Sequence, residues 1–149
     1  MFIQKLQYKD FYGNNREDVF YFHMNLYDTV QFAVDTENKG SFIQQLIDEK
    51  DNKRILAMFE QIVRHSVGRR SDDGIEFEKS EKHTNRLMQS NAWDVLWTKI
   101  FQDPDLMANF INNVFPKGTD FGSEEFQTMV EEEKNRRLQG METQNNEEN

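Results

Sequence analysis

Three histidines, a cluster of acids and two adjacent arginines are the residues whose chemistry could exceed packing. The histidines are His23, His65 and His83. Two imidazoles bind zinc when they stand four residues apart on a helix, and no pair here does. They read as surface or packing residues. Asp72 and Asp73, with Glu76 and Glu78, bring four carboxylates into one short stretch. A calcium loop needs ligands at alternate positions, a central glycine and a closing glutamate, and that order is missing. The stretch reads as a solvated acidic loop. Arg69-Arg70 lies beside Asp72-Asp73, which favours local neutralisation over phosphate binding. Gly68 and Gly74 do not form a phosphate cradle, since no Gly-Lys-Ser/Thr ending follows. The chain has no cysteine, hence no thiol nucleophile, thiolate metal site or disulfide. A G-x-S-x-G nucleophile elbow is also missing. The expectation is a non-enzyme that needs no cofactor and no metal.

A length of 149 residues is that of one ordinary domain. The hydrophobic fraction of 36% lies below the ~45–50% of fully globular chains. Thirteen Phe, four Tyr and two Trp compensate, since each buried aromatic removes roughly 150–250 Å² from water. The net charge of −9 argues against coating nucleic acid and against adhesion to anionic membranes. No run approaches the ~18 apolar residues of a membrane span. The N-terminus lacks a basic region followed by an apolar one, so no signal peptide is expected. An intracellular soluble protein is the reading.

The charge is uneven. Residues 1–118 carry 18 acids and 15 bases, and residues 119–149 carry 9 acids and 3 bases. Two-thirds of the net charge therefore sits in the last segment, which has few large apolar groups to offset its ordering entropy. The division expected is a folded body over 1–118 and an acidic, partly helical tail over 119–149.

The elements follow from local signals. Phe2 to Phe11 and Val19 to Met24, joined through Gly13-Asn14-Asn15, form a hairpin of aromatic-rich strands. Helical signals dominate afterwards. Asn25 caps a helix to about Val34. Ser41 with Gln44 makes a capping box before Phe42, Ile43, Leu46 and Ile47. Asp51 or Asn52 starts a helix bearing Ile55, Leu56, Phe59, Ile62 and Val63, and Gly68 is its stop. Ile75 to Phe77 is a short extended piece. Ser80 opens a helix through Met88, and Asn91 to Phe101 forms the next. Asp103-Pro104 starts another, with Leu106, Met107, Phe110, Ile111, Val114 and Phe115 as its stripe. Ser123 caps a last helix in which Glu132–Arg136 and Glu133–Arg137 pair at i,i+4. The fold class is mainly α (α+β): an N-terminal β-hairpin, a bundle of about five helices and the acidic tail. Within it, the strip Ala92 to Phe101 has apolar residues on more than one face. Such a helix is either buried all round or offers surface to a partner.

The order of segments resembles the tail assembly chaperones of long-tailed phages with flexible, non-contractile tails. The matching stretches are Tyr8-Lys-Asp-Phe-Tyr-Gly13, Asp18-Val-Phe-Tyr-Phe22, Val67-Gly68 followed by Ser71-Asp-Asp-Gly74, and Phe77-Glu-Lys79. The aromatic helix Trp93–Phe101 and Phe110-Ile-Asn-Asn-Val-Phe-Pro116 complete the series, with Asn113 where relatives carry glycine. The resemblance covers about residues 5–118. It implies a non-enzymatic chaperone in the host bacterial cytoplasm that binds the tape measure protein, keeps it soluble, and helps recruit tail tube protein. It further implies absence from the mature virion, and in many members a frameshifted longer form. Candidate contact residues are Trp93, Trp97, Phe101, Met107 and Phe110, which could equally form the core. A self-associating oligomer is compatible with this reading. The other classes open to the sequence are a small virion structural protein and an acidic nucleic-acid-mimicking inhibitor.

Overall fold

Alternating aromatic and polar residues make two strands, β1 (Phe2–Lys9) and β2 (Asn15–Phe22), each with one face in the core. In the computed structural model, which describes residues 1–36 and 52–147, they pair antiparallel from Phe2↔Phe22 to Lys9↔Asn15. β2 thus begins four residues before Val19, and β1 ends before Phe11. The turn is built on Asp10, whose carboxylate accepts from the Tyr12 and Asn14 N–H groups and from Arg16 Nε, each at 2.9 Å. Gly13 supplies the positive φ of 84° that this turn needs.

Helix α1 (Leu26–Asp35) starts at a capping box. The Asp28 N–H donates to Asn25 Oδ1 at 2.8 Å and the Asn25 N–H to Asp28 Oδ2 at 3.0 Å. A cap of this kind contributes about 1 kcal/mol. The expected helix from Ser41 and Gln44 lies outside the described residues. Helix α2 (Asn52–Ser66) buries Phe59, Ile62 and Val63.

Gly68 does not terminate α2 as a C-cap. The helix ends at Ser66, and the chain runs straight into β3 (Val67–Arg70). Gly68 is buried there, pressed beneath the Phe77 ring and the Glu78 carbonyl of β4 (Phe77–Glu78). β3 pairs with β2 at Tyr21↔Gly68 and Phe22↔Val67, then with β4 at Arg69↔Glu78 and Arg70↔Phe77. The result is a four-stranded antiparallel sheet in the order β1-β2-β3-β4. Arg69 and Arg70, polar residues with no strand signal of their own, are therefore strand.

Four more helices follow: α3 (Glu81–Met88), α4 (Ala92–Gln102), α5 (Pro104–Val114) and α6 (Glu124–Glu147). Asp103 caps α5 by accepting from the Asp105 and Leu106 N–H groups at 3.0 and 3.2 Å, with Pro104 at the first helical position. Ser123 Oγ accepts from the Phe126 N–H at 3.1 Å. The architecture is the mainly helical α+β class, a hairpin followed by helices.

Two chains of aromatic contacts hold these elements. Phe2 and Phe22 of the sheet meet Phe110 of α5, which meets Phe59 of α2, which carries Trp93 and Phe101 of α4. The other runs from Phe32 of α1 through Phe115 and Phe121 to Phe126 of α6. Phe121, Phe126 and Val130 are buried in the same core, whereas the side chains of residues 138–147 are exposed.

Candidate partner-binding surface

Helix α4 presents three kinds of side chain around its axis. Ala92, Leu96 and Ile100 are fully buried. Asp94, Lys99 and Gln102 are exposed. Between these faces, Trp93, Trp97 and Phe101 are half-buried and pack against the core with Leu106, Met107 and Ile111 of α5. Trp93 stacks on Phe59 at 5.6 Å with 17° between planes, and Phe101 meets the same ring edge-on at 5.4 Å. Trp97 leans on Phe101 at 6.3 Å, and its Nε1–H donates to Asp94 Oδ1 at 3.0 Å. Four of the five sequence-derived candidates thus belong to one half-exposed apolar strip on α4 and α5. Phe110 stands apart from them at 0% exposure, beneath the strip.

Two of the three histidines lie against carboxylates. His65 Nδ1 contacts the Gln61 carbonyl at 2.8 Å, and its Nε2 contacts Asp35 at 2.9 Å. His83 Nε2 lies 3.5 Å from a Glu78 oxygen. His23 packs edge-on against Phe77, and burial lowers its pKa. No group of three potential ligands able to hold a metal occurs among the described residues. In the acidic loop Asp73 accepts from Ser71 Oγ at 2.6 Å and from the Ile75 N–H at 3.1 Å. These bonds hold its pKa below the usual carboxylate range. Arg69 and Arg70 share a surface pocket with Asp72, Glu76 and Glu78, without a direct bond to Asp72 or Asp73. Strand pairing with Phe77 and Glu78 directs the arginines along β3, and neither makes an ion pair among the described residues.

The strip carries no catalytic constellation among the described residues, and its aromatics are partly exposed while packed against the core. A family model described as phage tail assembly chaperone matches residues 1–148. The chain belongs to the phage tail assembly chaperone family. Searches of curated proteins and of solved structures return no match. Membership of a chaperone family agrees with a binding role, and no helix among the described residues is long and apolar enough to cross a membrane.

Other exposed apolar groups of this chaperone escaped the sequence reading. Phe11 and Tyr12 are 79% and 94% exposed on the Asp10 turn. An aromatic run continuing from β1 looks like strand, and only the carboxylate of Asp10 bonding onward shows where the strand stops. At the other end, Asp35 of α1 joins three helices, accepting from His65 of α2 and, at 2.6 Å, from Arg137 Nη1 of α6. Glu133 gathers Arg136 through two bonds of 2.9 and 2.8 Å and Arg137 at 3.3 Å. Arg136 is thus bonded to Glu133, where the sequence spacing had suggested Glu132. These bonds, the Arg136 one foremost, hold the Glu133 carboxyl at about 2.

Burial raises the Asp35 pKa, but the Arg137 and His65 hydrogen bonds outweigh it and the net shift is downward. A carboxyl depressed in the folded state stabilises above its unfolded pKa of about 3.9 and loses that contribution as pH falls through the folded value. Asp35→Asn should therefore lower the melting temperature at pH 7, with the gap to the parent closing below about pH 4. With the side chain 40% exposed, the effect is held under about 1 kcal/mol by solvent screening. Thermal unfolding across a pH series measures it, and a gap that persists in acid contradicts the ion-pair role.

Proposed function

We propose that this chain binds the tape measure protein of a long, non-contractile-tailed phage, keeps it soluble and helps recruit tail tube subunits around it. It acts in the host bacterial cytoplasm and leaves before the virion is complete. The observation that carries this reading is the half-buried apolar strip of Trp93, Trp97, Phe101 and Met107 across α4 and α5. A long helical protein that self-associates through apolar stripes would be covered by such a surface, as in helix-in-groove recognition. Phe110 supports the strip from below. The acidic segment 119–149, exposed over residues 138–147, would oppose precipitation of the complex.

Co-expression with the tape measure protein tests the reading through soluble yield and co-purification. The partner alone should aggregate and should become soluble with the chaperone. Trp97→Glu should reduce co-purification on the order of tenfold or more, as expected of a tryptophan anchor, while its circular dichroism and melting stay close to the parent. A folded variant that solubilises the partner as well as the parent does removes Trp97 from the interface. A partner whose solubility never changes rejects the function.

A further inference from the structure

β2 is fully paired on one side only. Toward β3 its ladder covers only Tyr21↔Gly68 and Phe22↔Val67, while β3 pairs with β4 on its other side. On that same side the His23 N–H donates to the Ser66 carbonyl at 2.9 Å. Backbone groups of an antiparallel strand alternate between its two neighbours. Tyr21, Val19 and Glu17 therefore aim their N–H and C=O groups away from β1. Tyr21 meets Gly68, but Val19 and Glu17 meet no strand among the described residues. The register would bring Arg70 opposite Val19, but the β2–β3 ladder stops at Tyr21↔Gly68, while β3 continues along β4 on its other side. A cleft of about 320 Å³ adjoins Val19, lined by Asp18, Phe20, Gly68, Arg69, His83 and Arg86 among others.

In a chain of net charge −9, three arginines gather at this gap, against Asp18, which Arg86 engages, and Glu17, which Lys5 engages. Arg69 is exposed and makes no ion pair among the described residues. Arg70 lies over the Tyr21 ring at 5.4 Å. Arg86 reaches Asp18 at 3.3 Å with 65% of its side chain exposed. An unpaired edge accepts a chain that brings its own N–H and C=O groups. We propose that the gap beside β2 is a strand-addition site for an extended, acidic peptide segment of a partner protein. Nucleic acid would answer the arginines but leave the backbone groups of Val19 and Glu17 unpaired. The acidic end of a second copy carries suitable charge, yet it is helical through Glu147 and would have to unwind first. This inference stands independently of the tape measure reading.

Amide NMR of the full chain tests it by titration with a seven-residue synthetic peptide alternating glutamate and valine. Shifts should concentrate on Glu17 to Tyr21 and on Gly68 and Arg69. Arg69→Glu should weaken binding on the order of tenfold. Methylating the peptide nitrogens that face Val19 and Glu17 should abolish binding with the protein left unaltered. Val19→Pro should do the same, because it removes an N–H that faces the gap at a tolerated edge position. A lysine-for-glutamate peptide that binds equally well, an unaffected methylated peptide, or shifts centred elsewhere would overturn the proposal. A concentration-dependent dimer that vanishes on deleting residues 138–149, together with shifts of the Val19 amide, would assign the gap to a second copy and likewise overturn it.

Discussion

Replacing Phe110 with alanine is expected to cost about 3–5 kcal/mol and to lower the melting temperature by roughly 10 °C. The side chain has no exposed surface. Its ring centroid lies 5.1 Å from Phe2, 5.8 Å from Phe22 and 5.1 Å from Phe59, so it joins β1 and β2 to α2. Truncation leaves a cavity between a sheet and a helix that cannot close without moving one of them. Urea unfolding followed by tryptophan fluorescence measures the loss, since Trp93 stacks on Phe59 one contact away. Phe110→Leu fills most of the volume and should cost clearly less. A change below about 1 kcal/mol for Phe110→Ala would mean that the site collapses freely, contrary to close packing. The comparison with Trp97→Glu is informative. One variant should lose stability, whereas the other should keep its fold and lose a partner.

Gly68→Ala is expected to destabilise by about 1–3 kcal/mol, toward the upper end of the usual cost of overpacking. The reason is space. A Cβ at Gly68 would overlap the Glu78 carbonyl oxygen and stand 2.7 Å from the edge of the Phe77 ring. The carbonyl is backbone and cannot rotate away, so β4 must shift. Phe77 also supports the His23 ring at 5.7 Å and lies 6.0 Å from Lys79 Nζ, so its displacement spreads to both. Chemical denaturation gives the stability change, and amide exchange at Phe77 and Glu78 should rise with it. A variant as stable as the parent would show that β4 floats over β3 without close contact.

The chain's own short-range chemistry made much of this fold legible. Asn25, Asp103-Pro104 and Ser123 start helices because their side-chain oxygens, or a preset φ, act on N–H groups within a few residues. The aromatic alternation of β1 and β2 and the glycine at their turn are equally local. The order of these segments also pointed to the tail assembly chaperone family. β3 was different. Val67 to Arg70 contains one large apolar residue and a glycine, a pattern that reads as helix stop and polar loop. It is a strand because β2 offers an edge at Tyr21 and Phe22, and because β4 folds back over Gly68.

The aromatic helices divide in the same way. Sequence spacing showed apolar side chains on more than one face of the segment from Ala92 to Phe101. Tertiary packing decided which of them stay half-exposed. Phe59 of α2 stacks on Trp93 and meets Phe101 at right angles, while Phe2, Phe22 and Phe59 surround the fully buried Phe110. Caps and turns are energies between neighbours in the chain, so residue order alone determines them. Burial and the free edge of β2 depend on which distant surfaces meet, and those meetings exist only once the whole chain has folded.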